Sequence, residues 1–337
     1  MALNEVVLLF SDGAERRVHV PDGGVLLDAA LEKDIQLIHQ CRTGSCSTCT
    51  CKVVEGDLRL EASTSVSIFP REIAAGERLS CLTRVYSDGV VRLPYSSTEL
   101  DRAAPQRFRA EVTAIDRLSD TVVRLRMFAV EEAPPFESGM YFSISVPGAD
   151  VRRCYSPVSR SSDLPEIEFL IRLLPGGAMS EYLTSLAAPG DVLELDGPHG
   201  EFRWNETKAP IILVAGGTGL APVLSILDTI AAGRRHRERI LLCFGVNRKE
   251  DLFFEEELHY RREMMPRLDV RISVVEPDQG WAGATGHVTG LIQPDDVKPT
   301  TEAFLCGPPP MVSAASERLK SFGLQENSIM FERFSAA

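Results

Sequence analysis

Three thiols lie within nine residues in Cys41-Arg42-Thr43-Gly44-Ser45-Cys46-Ser47-Thr48-Cys49, and 31 residues separate Cys49 from a fourth, Cys81. The C-x4-C-x2-C spacing with one remote cysteine suits two irons and two sulfides held by four thiolates. A tight loop can supply three of the four if its backbone bends around the cluster. Gly44 permits the bend. The small Ser45, Ser47 and Thr48 let amide N–H groups approach the sulfurs, one means of setting a reduction potential. The competing reading is structural zinc, which usually takes paired C-x2-C units rather than three plus one. Met1–Phe10 contains Glu5 and lacks the basic start of an export signal, so disulfides are not expected. A one-electron carrier near the N-terminus follows from these residues.

Four further stretches carry chemistry. In Arg153-Cys154-Tyr155-Ser156, strand alternation projects a cation and an aromatic ring from one face, where a guanidinium can hold a phosphate bidentately. In isolation the tetrapeptide reads equally as a surface Arg and a core Tyr. Gly176-Gly177-Ala178-Met179-Ser180-Glu181-Tyr182-Leu183 opens a helix with Ser180 in its N-cap region, offering N–H groups to a pyrophosphate. Gly216-Gly217-Thr218-Gly219-Leu220-Ala221-Pro222 follows an apolar run and opens another helix, so its backbone can approach a second pyrophosphate. Cys306-Gly307-Pro308-Pro309-Pro310-Met311 ends a strand, the edge at which open α/β sheets bind ligands. The remaining cysteines are less telling. Cys51 lies two past the last clustered ligand and should point away from the cluster as a buried small side chain; Cys154 and Cys243 have no assigned role.

The elements that must position these residues fall into three regions. In 1–98, Val6–Phe10 and Glu15–Val20 flank Ser11-Asp12-Gly13, a hairpin signal. A short helix is expected over Val25–Lys33, an extended run at Cys51–Glu55, and a strand pair around Ser87-Asp88-Gly89. Pro94–Arg107 is polar, carries two prolines and reads as a linker. Residues 105–205 are dominated by strand signals at Phe108–Ile115, Thr121–Phe128, Tyr141–Val146, Glu166–Leu173 and Val192–Leu195. Val123, Leu125 and Met127 alternate with Arg124 and Arg126, as in an antiparallel sheet with one buried face. In 206–337 the short apolar runs Ile211–Val214, Ile240–Phe244, Val270–Val275 and Ala303–Leu305 alternate with helical stretches, which argues a parallel sheet covered on both faces.

Composition narrows the classes. The 337 residues have room for two or three domains, and 44% hydrophobic with 25% charged residues is an ordinary globular balance. A net charge of −12 argues against a nucleic-acid partner. Ala209–Leu227 runs 19 residues without a charge, but Gly216, Gly217, Gly219 and Pro222 interrupt it, so a buried strand and helix are expected rather than a membrane span.

The cluster loop closely resembles that of the plant-type ferredoxins, with Cys41, Cys46, Cys49 and Cys81 as ligands. From residue 105 onward the order of motifs resembles the ferredoxin-NADP reductase superfamily. That resemblance implies that Arg153, Gly177, Met179 and Ser180 meet the FAD phosphates, Tyr155 packs on the ring system and Ser156 lies near flavin N5. It implies that Gly216, Gly217, Thr218, Gly219, Gly307 and Pro308 hold the nicotinamide nucleotide while Cys306 approaches the nicotinamide. In the terminal Phe331-Glu332-Arg333-Phe334 it puts Phe334 over the flavin face and Glu332 beside the nicotinamide, leaving Ser156, Cys306 and Glu332 as catalytic candidates.

Taken whole, the chain resembles the reductase components of aromatic-ring dioxygenases, the benzoate and anthranilate 1,2-dioxygenase type. The resemblance implies a multidomain α+β and α/β protein: a β-grasp [2Fe-2S] ferredoxin domain at 1–98, an antiparallel Greek-key β-barrel FAD domain at 105–205 and a parallel-sheet α/β NAD domain at 206–337. Electrons would run from NADH through FAD and the cluster to the Rieske centre of a separate oxygenase. NADH is favoured because those relatives use it; Arg248, Lys249, Glu250 and Asp251 mix cations that could hold a 2′-phosphate with acids that would repel it. A cytoplasmic monomer is expected. The same three modules serve diiron monooxygenases and nucleotide-sugar deoxygenation, and those readings remain open. No H-E-x-x-H or His/carboxylate facial triad is apparent, so oxygen chemistry is expected elsewhere.

Overall fold

A computed structural model describes residues 2–39, 42–44, 48–61, 66–101, 105–204, 206–233 and 236–334. The chain groups into two compact units, one of residues 1–104 together with the chain's end from Arg333, the other of Pro105–Glu332.

In the first unit, β1 (Leu3–Leu9) and β2 (Glu15–Pro21) form the expected antiparallel hairpin. β3 (Gly24–Val25) leads into α1 (Leu26–Leu31), whose Leu26, Leu27, Ala29 and Ala30 are buried. Then follow β4 (Thr50–Glu55), β5 (Leu58–Leu60), α2 (Pro70–Ala74), β6 (Glu77–Leu79), β7 (Thr83–Val85) and β8 (Gly89–Arg92). One sheet has the order β2-β1-β8-β4-β6 and a smaller one β3-β7-β5. β8 runs parallel to β1, so the hydrophobic alternation of Val6 and Leu8 faces α1 across a closed core. The strand pair expected around Ser87-Asp88-Gly89 is not a hairpin: β7 and β8 belong to different sheets. β7 pairs with β3 and β5 and β8 with β1 and β4, so the turn signal only redirects the chain.

Pro94–Arg107 is less of a linker than its composition suggests. Tyr95 is buried, its ring edge-on to Phe10 and its hydroxyl accepting the Ile38 N–H at 3.2 Å. Asp12 accepts hydrogen bonds from the hydroxyls of Ser96 and Ser97, which hold its carboxyl down at about 2. Gln106 and Arg107 already belong to the next strand. At the other end of the chain, buried Arg333 donates to both Glu72 oxygens, at 2.5 and 3.0 Å, and to the Ser67 carbonyl at 3.2 Å.

The second unit begins with β9 (Gln106–Arg117), β10 (Val122–Ala129), β11 (Tyr141–Ser145), β12 (Arg152–Tyr155), β13 (Glu166–Arg172), α3 (Ala178–Ser185) and β14 (Val192–His199). These strands form an antiparallel sheet in the order β12-β11-β14-β9-β10-β13. A bridge between Pro157 and Phe169 draws its two edges together, and Phe108, Phe142 and Phe169 fill the interior. The order, with β14 returning between β9 and β11, is that of a Greek-key barrel.

The rest alternates strand and helix: β15 (Ile211–Gly216), α4 (Leu220–Gly233), β16 (Ile240–Arg248), α5 (Glu255–Met264), β17 (Leu268–Glu276), β18 (Ala284–Thr285), β19 (Glu302–Gly307), α6 (Pro309–Ser321) and β20 (Ile329–Arg333). The sheet order is β18-β17-β16-β15-β19-β20, with parallel pairing from β18 through β19. Every residue of β15 is buried, as is α4 from Leu220 to Leu227, so the uncharged stretch at 209–227 is interior strand and helix. Among the described residues no helix is long and apolar enough to cross a membrane.

Candidate functional site

Cys49 and Cys81 are buried, and their sulfurs stand 3.3 Å apart. A disulfide would close that distance to about 2.05 Å. Two thiolates on one tetrahedral metal, each about 2.3 Å from it, stand about 3.8 Å apart, so the pair suits a shared metal better than a disulfide. Cys41 and Cys46 lie outside the described residues. Gly44, inside the loop, has φ +85°, and a Cβ there would meet Leu82 at 2.6 Å, so the bend needs glycine on both counts. Cys51 is 1% exposed on β4, and burial pushes its thiol far up, as expected of an inert core residue rather than a ligand.

On β12, Arg153 and Tyr155 sit opposite Ile144 and Phe142 of β11, hence on one face. Arg153 uses one of its five N–H groups on the Arg152 carbonyl. Burial raises the Tyr155 phenol. The glycine-rich helix start differs from expectation in its cap. Gly177, not Ser180, is the N-cap, and the Ser180 hydroxyl accepts the Leu174 N–H at 2.8 Å. Folding that hydroxyl back onto the preceding loop leaves the N–H groups of Ala178, Met179 and Ser180 without an acceptor inside the helix. The Met179 side chain is 3% exposed and packs in the barrel core, so only its backbone can reach a ligand. Three N–H groups at a helix start fit a diphosphate, and a guanidinium with donors to spare, as on Arg153, is of the type that adds to such a site.

The second glycine loop leaves β15 directly. Gly217 through Gly219 form a 3-10 turn into α4. A Cβ on Gly219 would lie 2.3 Å from the Cys306 carbonyl, and one on Gly216 2.6 Å from Met311 Sδ. The loop and the Cys306–Met311 stretch therefore interlock at the carboxyl ends of adjacent parallel strands, β15 and β19. Thr218 is half-buried beside them and Pro308 is exposed.

Three of the expected residues converge. Ser156 Oγ donates to Glu332 Oε2 at 3.1 Å, and Cys306 Sγ lies 3.9 Å from the same oxygen. The three come from the end of a barrel strand, the end of β19 and the last strand β20. Glu332 keeps some exposed surface as a residue, yet burial pushes its carboxyl up to about 8 against the two hydrogen bonds that pull it down. Burial, then the nearby Glu332 carboxylate, raises the Cys306 thiol well above its ordinary value. Phe334 is half-buried and groups with the first unit.

The sequence marked Arg248 and Lys249 as cations near the nucleotide but not the partners that engage them. Lys249 pairs with Glu255 at 3.2 Å and lies 4.5 Å from the Trp281 ring centre, while Arg248 contacts Glu250 and Glu276.

Comparison with known proteins agrees with this layout. Residues 9–86 match the family described as "2Fe-2S iron-sulfur cluster binding domain", 109–204 "Oxidoreductase FAD-binding domain" and 213–317 "Oxidoreductase NAD-binding domain". The protein is thus an iron–sulfur flavoprotein oxidoreductase of the ferredoxin-reductase fold. It is 35% identical to the toluate 1,2-dioxygenase electron transfer component of Pseudomonas putida, over 99% of both chains. It is 32% identical to the propane 2-monooxygenase reductase component of Rhodococcus jostii (strain RHA1), over 95% of this chain and 89% of that one. The crystal structure of an Amycolatopsis cytochrome P450 reductase superposes with a TM-score of 0.72 at 27% identity, covering 98% and 99% of the two chains. The chain belongs to the family of electron-transfer components that serve oxygenases.

Proposed function

We propose that the protein oxidises NADH and supplies single electrons to the Rieske component of an aromatic-ring dioxygenase of the benzoate and toluate type. The observation that carries the hydride half of this reading is the meeting of Ser156, Cys306 and Glu332 at the carboxyl end of the parallel sheet. When bound, the flavin takes electrons from nicotinamide as a pair and the cluster hands them on singly.

The chain's own residues do the rest. Arg153 and the first-turn N–H groups of α3, from Ala178, Met179 and Ser180 beside Gly177, hold the FAD diphosphate. Tyr155 lies along the ring system. Gly216–Gly219, Gly307 and Pro308 hold the nicotinamide diphosphate, and Cys306 borders the nicotinamide. Ser156 holds the Glu332 carboxyl, which near neutral pH keeps its proton and so brings no charge against the nicotinamide. Phe334 covers the flavin face until nicotinamide displaces it. Cys41, Cys46, Cys49 and Cys81 ligate the cluster. The domains run 1–98, 105–205 and 206–337, and the protein acts as a cytoplasmic monomer.

NADH rather than NADPH is supported at the end of β16, where Arg248 and Lys249 are already engaged by Glu250, Glu276 and Glu255 and are poorly disposed toward a 2′-phosphate. A dioxygenase partner is supported by the toluate 1,2-dioxygenase relative, and its Rieske type follows from the resemblance to aromatic-ring dioxygenase reductases. The similarity to a propane monooxygenase reductase favours a second reading, a monooxygenase partner. Supplying the purified protein and NADH to a Rieske dioxygenase and, separately, to a diiron monooxygenase decides between them. Turnover with the first alone is expected; turnover with the second alone would overturn the proposal.

A further inference from the structure

Behind the site, three hydroxyls and a carbonyl meet in the interior of the second unit. Ser225, wholly buried on α4, lies 2.9 Å from the Ser138 hydroxyl and 2.9 Å from the Ser159 carbonyl. Ser138, itself buried, lies 2.6 Å from the hydroxyl of Thr229, one turn further along α4. Ser225 has one proton, and a carbonyl can only accept, so that proton serves Ser159. Ser138 then donates to Ser225, and Thr229 to Ser138. Three protons thus meet three acceptors in one direction. Removing the Ser225 hydroxyl would leave the buried Ser159 carbonyl without a donor and the buried Ser138 hydroxyl without an acceptor.

The two ends of this chain of bonds lead to the two halves of the site. Ser159 is three residues past Ser156, and the segment between them is tied down: Pro157 bridges Phe169, and Val158 donates to the Glu168 carbonyl at 2.7 Å. The helix that carries Ser225 and Thr229 continues directly from the Gly216–Gly219 loop. An apolar contact between helix and barrel could slide by fractions of an ångström at little cost. A hydrogen bond to an enclosed carbonyl has a preferred length and direction.

We propose that Ser225 is a positioning residue for hydride transfer. Its bond to the Ser159 carbonyl sets the register of the nicotinamide loop against Ser156, and so the approach of nicotinamide to flavin, which must bring the reacting atoms to about 3–3.5 Å. Ser225 touches no reacting atom. The inference rests on the reading above, that Gly216–Gly219 holds the nicotinamide nucleotide and Ser156 faces the flavin.

The test uses the full-length holoenzyme and its apoprotein. In Ser225→Ala, anaerobic flavin reduction by NADH should slow about tenfold while the half-saturating NADH concentration moves less than about twofold. In the apoprotein, amide hydrogen exchange should rise together in residues 156–160 and 216–224. An unchanged reduction rate, or exchange that rises only around residue 225, would overturn the proposal. Should Ser225→Ala fail to fold, Thr229→Val removes only the outermost donor; its flavin reduction should slow about threefold, and an unchanged rate would overturn the proposal equally. Wild-type protein that NADH does not reduce would remove the underlying reading, and the exchange measurement would still decide whether the two segments are coupled.

Discussion

Ser156 and Glu332 lie 176 residues apart in the chain, yet the serine hydroxyl donates to the glutamate carboxyl at 3.1 Å. The bond joins the end of a barrel strand to the last strand of the parallel sheet, so neither fold alone contains the site. Ser156→Ala and Glu332→Ala should each slow flavin reduction by NADH about 10- to 100-fold, with FAD content unchanged. Rapid mixing under argon measures this. Full-speed reduction in both variants would remove the pair from the reaction.

The acidity of Glu332 makes a separate prediction. Its carboxyl stands at about 8 in the folded protein against an ordinary 4.5. Between those values the native state keeps a proton that the unfolded chain releases. This group's contribution to stability is therefore fully present below its unfolded value and lost as pH rises through about 8. Urea midpoints of the apoprotein should fall more steeply from about pH 6 to 9 in the wild type than in Glu332→Gln. Parallel slopes would mean another group titrates there.

Cluster ligation predicts a sharp contrast between neighbours two residues apart. Cys49→Ser, Cys81→Ser and Cys46→Ser should lose the brown colour, and Cys51→Ser should keep about two irons per chain. Metal analysis and visible spectra of the four proteins suffice. Bleaching in Cys51→Ser would upset the ligand assignment, and zinc in place of iron would end the cluster reading.

A chain beginning at Pro105 should bind FAD and reduce ferricyanide with NADH, since that acceptor can take electrons from the flavin directly. Its reduction of cytochrome c and its support of oxygenase turnover should fall at least about tenfold. If oxygenase turnover survives the deletion, the cluster is not the outlet.

Much of this was legible because chemistry constrains the residues. Four thiolates at a set spacing, and glycines where a backbone must touch another backbone, leave marks in a single segment. Gly219 against the Cys306 carbonyl is such a mark. Ser225, Ser138 and Ser159 leave none, because they sit in three segments with no shared spacing and serine is common everywhere. The Ser180 cap was misplaced because a hydroxyl near a helix start has two local acceptor roles, and here it takes the loop N–H of Leu174. Tyr95 was hidden in a polar stretch, where one aromatic residue outweighs its neighbours once Phe10 and the Ile38 N–H are available to it.

The Glu72–Arg333 pair has a consequence for how the protein is made. Glu72, on α2, is synthesised 261 residues before the guanidinium that holds its carboxylate below the ordinary range. The first unit thus waits, through the synthesis of everything between, for its final ion pair. A nascent chain arrested before Arg333 would carry an acidic side chain with its cationic partner missing, so the part of the protein synthesised first completes this contact only once Arg333 has been made.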